Sequence, residues 1–316
     1  MKGDSTIGPY RILRLINRGG QGSVFLGYDK RLQRRVAIKI YKFDSEDRSR
    51  NSPQREAQLL ASIHSDTVVQ IYDVIESRKR LALIMEYVPG LSLESLLAAV
   101  CPSLASVLAV GVDIAGALTL TQQQCIVHGD VKAANVLITE FGRAKLADFG
   151  IASIIGEQPS RQWEAGSFDS LSPEQYLGHP LDGRADLFAL GCLLCRMLSG
   201  EQPFFQGGRP DVNSLLTQAA RPLKDLVGGN MELPDQLMGL IDGLLEKNPA
   251  NRANHADEVR QILQFLWLES RSYFSSKSPV TVISSTPKGE AWRGQLASQH
   301  FGTRVTEFWN RDTMPR

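Results

Sequence analysis

The hydrophobic pattern of this 316-residue chain changes once, near residue 90, and that change decides its architecture. Before it, short runs rich in β-branched residues at 11–16, 24–28, 35–41, 68–75 and 81–86 stand between turn signals, which predicts strands. One helical pattern, 53–64, interrupts them. After it the spacing is mainly helical to about residue 270. The exception is a predicted hairpin, 136–138 with 144–147, around Phe141-Gly142. The run 185–198 is apolar nearly all round after Asp186, as a helix at the centre of a domain should be. Val259, Ile262, Leu263 and Leu266 form the last helical stripe. The expected class is therefore α+β. A small antiparallel sheet lobe with one helix covers residues 1–88, and a larger, mainly helical lobe covers 89–269. Nine of the 17 residues from 270 to 286 are Ser or Thr, so 270–316 reads as a linker and tail.

Net charge is +1, which excludes a globally basic surface for nucleic acid or anionic lipid. Four cysteines are too few for a disulfide framework at this length. Cys192 and Cys195 make a C-x-x-C without a second half for zinc, inside an apolar run that reads as helix core. Residues 95–112 carry no charge, but Pro102 divides them, so two helices with a turn are expected rather than a membrane span. The start, Met-Lys-Gly-Asp, has no apolar leader. The expected compartment is the cytoplasm.

Chemistry-bearing strings come in a fixed order. Asn17-Arg18-Gly19-Gly20-Gln21-Gly22 precedes a strand, where both a Walker loop and a dinucleotide loop would precede a helix. Alone it serves a tight hairpin as well as a lid over phosphates. In Val36-Ala37-Ile38-Lys39-Ile40, period two puts Ala37 and Lys39 on one face, which suits a purine over Ala37 and phosphates near Lys39. A solvated lysine fits the same spacing. Glu56 heads the stripe Leu59, Leu60, Ile63, so it either pairs with Lys39 or stays wet at the stripe's edge. His128-Gly129-Asp130-Val131-Lys132-Ala133-Ala134-Asn135 enters the predicted hairpin and Asp148-Phe149-Gly150 leaves it. A hairpin returns its ends side by side. Asn135 and Asp148 should therefore converge beside Asp130, with hard oxygens suited to Mg²⁺.

As an ordered set, these strings resemble the eukaryotic-type (Hanks-type) serine/threonine protein kinase family, in its bacterial style, over about residues 7–268. Met85-Glu86-Tyr87-Val88 matches its hinge, Ser172-Pro173-Glu174 stands in place of A-P-E, and Asp186, Gly191 and Arg252 match later positions. The resemblance implies a bilobal kinase-like fold and transfer of the ATP γ-phosphoryl group to Ser/Thr hydroxyls of proteins, the chain itself included. It implies that Gly19, Gly20 and Gly22 cover the phosphates, with Ile16, Val24, Ala37 and Met85 around the nucleotide. Glu86 and Val88 would bind adenine through their backbones. Lys39, held by Glu56, would bind the α- and β-phosphates. Asp130 would take the acceptor proton, Lys132 would steady the γ-phosphate, and Asn135 and Asp148 would hold Mg²⁺. Lys132 also points to the serine/threonine class.

Three departures stand out. Asn17 replaces the loop's first glycine. Ser170 sits where a tyrosine often packs. Gly129 replaces the arginine that usually precedes the catalytic aspartate and pairs with a phosphorylated activation loop. Activity is therefore expected to survive loss of the hydroxyls of Ser153, Ser160 and Ser170. The alternative reading is a pseudokinase scaffold that binds nucleotide and partners without transfer. The tail, with Ser278-Pro279, Thr286-Pro287 and four aromatic residues, is expected to dock on the kinase or a partner, or to be unstructured.

Overall fold

A computed structural model describes residues 5–19, 22–42, 61–77, 80–149, 153–154, 168–227 and 233–276. The chain divides into two units, residues 1–89 and 90–316.

The described residues of the first unit form a six-stranded antiparallel sheet. Its strands are β1 (Thr6–Ile7), β2 (Tyr10–Gly19), β3 (Gly22–Asp29), β4 (Arg34–Lys42), β5 (Ile71–Ser77) and β6 (Arg80–Glu86), in the order β1-β2-β3-β4-β6-β5. Alternation along β4 and β6 buries Val36, Ile38, Ala82 and Ile84 with Tyr10 on one face. Leu81 and Leu83 pack with Tyr41, Val74 and Met85 on the other. The strand expected from residue 68 starts only at Ile71. Val68 and Val69 are buried, but the Gln70 carbonyl already accepts the Glu86 N–H, and the ladder shifts register between Ile71 and Asp73. The helix expected over 53–64 lies outside the described residues up to position 60.

The second unit opens with β7 (Gly90–Ser92), followed by α1 (Leu93–Ala99) and α2 (Leu104–Gln123). Ser92 and Ser103 cap the two helices, each accepting an N–H three residues on. The break falls around Pro102, where the sequence predicts it. By length and composition α2 could cross a membrane, yet most of its apolar window is buried, as in the core helix of a globular domain. Next come β8 (Ile126–Val127), β9 (Val136–Thr139), β10 (Ala144–Leu146) and β11 (Ser153–Ile154). β9 pairs with both β10 and β7, and β8 pairs with β11. Then follow α3 (Pro173–Tyr176), α4 (Gly183–Ser199), α5 (Val212–Thr217), α6 (Leu223–Leu226), α7 (Asp235–Leu244) and α8 (Ala256–Ser276), with a short ribbon, β12 (Phe205–Gln206) and β13 (Arg209–Pro210), after α4. α4 is buried on nearly every side and packs against α2 and α7. Its Cys192 and Cys195 are buried free thiols, the latter pushed up to about 12 by burial, so they are packing groups rather than ligands. α8 overruns the linker expected from residue 270, because no Gly or Pro stops it before Pro279.

Candidate active site

In the first unit, β2 and β3 form the antiparallel hairpin expected of a glycine lid, closed by the pair Gly19 and Gly22. Gly22 has φ +146°, and a Cβ there would collide with the Ile40 carbonyl, so only glycine fits. Gly20 lies outside the described residues. Cross-strand register then assembles one face. Val24 is opposite Lys39, and Lys39 opposite Leu83, while Leu26, Ala37 and Met85 form the next row. Residues directly opposite share a face, so Val24, Ala37, Lys39 and Met85 lie together. Ile16 sits at an irregularity of β2 between Leu15 and Asn17 and is exposed. Lys39 is 4% exposed, with its ammonium 4.7 Å from the Tyr41 ring centroid. It is thus no solvated strand lysine. Glu56, its expected partner, lies outside the described residues. Val88 is buried, and the Glu86 N–H is given to the Gln70 carbonyl.

In the second unit the hairpin does what its position requires. β9 and β10 pair Val136 with Leu146, and the Ala147 N–H donates to the Asn135 carbonyl at 2.8 Å. Asn135 and Asp148 therefore flank the same end of the ribbon. Asp148 adopts φ +63°. Asn135 Nδ2 donates to the Asp130 carbonyl at 2.8 Å and to Asp130 Oδ2 at 2.9 Å, while Lys132 Nζ pairs with Asp130 Oδ1 at 2.9 Å. Asp130 is buried, and burial holds its carboxyl above the ordinary range. Lys132 and Asn135 pull it back, and Asp148 pushes it up further. One acid, one cation and one amide thus meet in hydrogen-bond contact, with a second acid close enough to act on the first. Both Asn135 donor bonds are directed at Asp130, and the Asn135 Oδ1 and the Asp148 carboxylate are hard oxygens of the kind a Mg²⁺ donor set uses.

The loop beneath them is built from side chains. His128 is fully buried; its Nδ1 accepts the Asp130 N–H at 3.2 Å, so Nε2 carries the proton and donates to the Ala147 carbonyl at 3.2 Å. Its ring lies 4.4 Å from that of Phe149. Asp186, at the start of α4, accepts the N–H of His128 and of Gly129, both at 2.8 Å. Burial pushes its carboxyl up to about 7 against those two donors.

A family profile described as "Protein kinase domain" matches residues 10–268, the stretch that carries every one of these groups. The chain belongs to the protein kinase family. Similar proteins include the serine/threonine-protein kinase PrkC of Bacillus subtilis, 33% identical over 257 residues, which are 80% of this chain and 39% of that protein. Another is the serine/threonine-protein kinase pkn2 of Myxococcus xanthus, 34% identical over 311 residues, 94% of this chain and 36% of that one. The serine/threonine-protein kinase PknA of Mycobacterium tuberculosis is 34% identical over 256 residues, 78% of this chain and 58% of its own. The chain thus spans about two fifths of the length of PrkC and pkn2.

Within this kinase domain, sequence reasoning assigned no role to His128, Asp186 or Gln175. Asp186 carried a usable signal, a carboxylate opening an otherwise apolar helix. Gln175 carried only a capping signal, S-x-x-Q, which the structure bears out at Ser172.

Proposed function

We propose that this kinase domain transfers the γ-phosphoryl group of Mg·ATP to serine and threonine hydroxyls of proteins, its own included. The observation that carries the reading is the contact set Asp130–Lys132–Asn135, two ion-pair or hydrogen-bond distances of 2.9 Å in a buried loop. The names of the three relatives given above, each a serine/threonine-protein kinase, support the same reading. The acceptor oxygen forms a bond to the γ-phosphorus as the bridge to the β-phosphate breaks, ADP departs, and the acceptor proton passes to Asp130. The raised carboxyl of Asp130 suits that proton. Lys132 faces the charge that develops on the transferring oxygens. Asn135 and Asp148 would hold Mg²⁺, which when bound neutralises phosphate charge. Lys39 would meet the α- and β-phosphates and Gly19, Gly20 and Gly22 would cover them. Ile16, Val24, Ala37 and Met85 would border the base. With the Glu86 N–H engaged, its adenine contact falls to the carbonyl, beside the backbone of Val88. We place the reaction in the cytoplasm, which suits four free thiols.

The test is transfer of radiolabelled phosphate from ATP to a generic protein acceptor. Asp130→Asn should lower turnover by on the order of 10³-fold while Mg·ATP still binds. Binding without transfer by the unaltered protein would establish the scaffold reading instead.

A further inference from the structure

We propose that Gln175 is a positioning residue for the catalytic aspartate, clamping the peptide group that immediately precedes Asp130; the inference rests on the transfer reading above. Gln175 is 2% exposed and uses its amide at both ends. Its Oε1 accepts the Ser172 N–H at 3.0 Å, and the Gln175 N–H donates to Ser172 Oγ at 3.3 Å, closing the cap of α3. That cap needs only the oxygen. The nitrogen reaches 46 residues back along the chain and donates to the Gly129 carbonyl at 2.9 Å.

The consequence lies in the peptide between Gly129 and Asp130. Its N–H is given to His128 Nδ1 and its carbonyl to Gln175. The preceding peptide gives its N–H to Asp186. Gly129 is the hinge between these two planes, at φ +75°. Without a Cβ, glycine lets a peptide plane flip at little steric cost. A flip here would re-aim the Asp130 carboxylate. The Gln175 bond removes that freedom at a position where a side chain would otherwise restrict it. It also couples α3, which follows the turn Phe168–Ser170, to the reacting acid without any phosphate.

Two substitutions test the clamp. Gln175→Met keeps the bulk and removes both bonds; kcat should fall about 10–100-fold with the KM for ATP within about 2-fold of the parent. Gln175→Glu keeps an acceptor for Ser172 but aims a carboxylate oxygen at the Gly129 carbonyl. Its activity relative to the parent should recover as pH falls, because the protonated acid donates where the amide did. The neighbouring groups Glu174, Arg252, Asp186, Asp130 and His128 are the same in both proteins, so the ratio at each pH isolates position 175. Amide exchange by mass spectrometry should show faster exchange in Gln175→Met at Ser172, whose N–H loses its acceptor, and at residues 128–130, and nowhere else in the second unit.

A parent-like kcat in Gln175→Met overturns the proposal. So does a flat activity ratio for Gln175→Glu, or exchange that rises across the whole second unit together with lost thermal stability. If the unaltered protein transfers no phosphate, the transfer reading fails instead. The clamp then stands or falls on whether Gln175→Met speeds exchange at residues 128–130.

Discussion

Asp186 touches no reacting atom by the reading above, yet both its carboxylate oxygens accept consecutive amides, those of His128 and Gly129, that lead into Asp130. An asparagine keeps one acceptor and turns an NH₂ group toward an N–H donor. Asp186→Asn should therefore lower turnover on the order of 100-fold, the scale of a reacting group misplaced by about 1 Å, and lower Tm as well. Steady-state kinetics and a thermal melt read the two effects separately. Lys247 is the opposite case, a buried polar atom that the site does not use. Among the described residues its ammonium has no hydrogen-bond partner, and it lies 3.5 Å from the Phe204 ring centroid. Burial lowers its pKa to about 8, with Arg252 lowering it further and Glu246 and Cys192 opposing. Between about 8 and the unfolded value of 10.5, the unfolded chain binds more protons, so this group's penalty shrinks as pH rises. Below about 8 the penalty is complete. Lys247 is partly solvated, which limits it to on the order of 1 kcal/mol. Lys247→Met should raise Tm at pH 7 by about 2–4 °C, and by less at pH 10. An equal gain at both values would show that packing, and not charge, is responsible.

At the scale of elements, α3 is four residues long and is held by side chains more than by its own ladder. Arg252, just after the turn Pro249–Asn251, gives two bonds to the Glu174 carboxylate at 2.6 and 2.9 Å. Its remaining donors go to the carbonyls of Arg184, Glu246 and Lys247. The pair is dry, so removing one partner strands a buried charge. Arg252→Met should cost about 3–5 kcal/mol, read as a lower urea midpoint for the second unit, and Glu174→Leu in the same chain should recover part of it. These elements also show what the sequence makes legible. Strands β2, β3, β4 and β6, the β9–β10 hairpin and the buried α4 follow from periodicity and turn residues, because local pattern encodes which face is buried. The convergence of Asn135 with Asp148 follows too, since it needs only a hairpin. The Glu174–Arg252 pair spans 78 residues and the Gln175–Gly129 bond spans 46. No period reports a bond between distant segments. The strand start at Ile71 was missed for a related reason: Val68 and Val69 are as apolar as strand residues, and a tertiary bond to Gln70, not propensity, sets the boundary.

At the scale of the whole molecule, the loop 128–135 of the second unit, catalytic by the reading above, is anchored by groups that are all present in the unmodified chain. Asp186 holds two amides, His128 a third, and Gln175 the intervening carbonyl. None of these contacts requires a phosphate, and Gly129 offers no cation to bind one. In a kinase that relies on an arginine before the catalytic acid, removing phosphate from the acceptor-side segment leaves that cation without its counter-charge, and the loop loses an anchor. Here the anchoring side chains are buried and their hydrogen bonds are indifferent to phosphate elsewhere. Phosphatase-treated protein, assayed at once with a protein acceptor, should therefore keep its initial rate within about 2-fold of untreated protein, against the 10-fold or larger drop that loss of one charge-assisted anchor would produce. Mass spectrometry confirms that the phosphate is gone. A large drop, restored as the protein rephosphorylates itself, would mean that a phosphorylated residue supplies an anchor in addition to these four bonds.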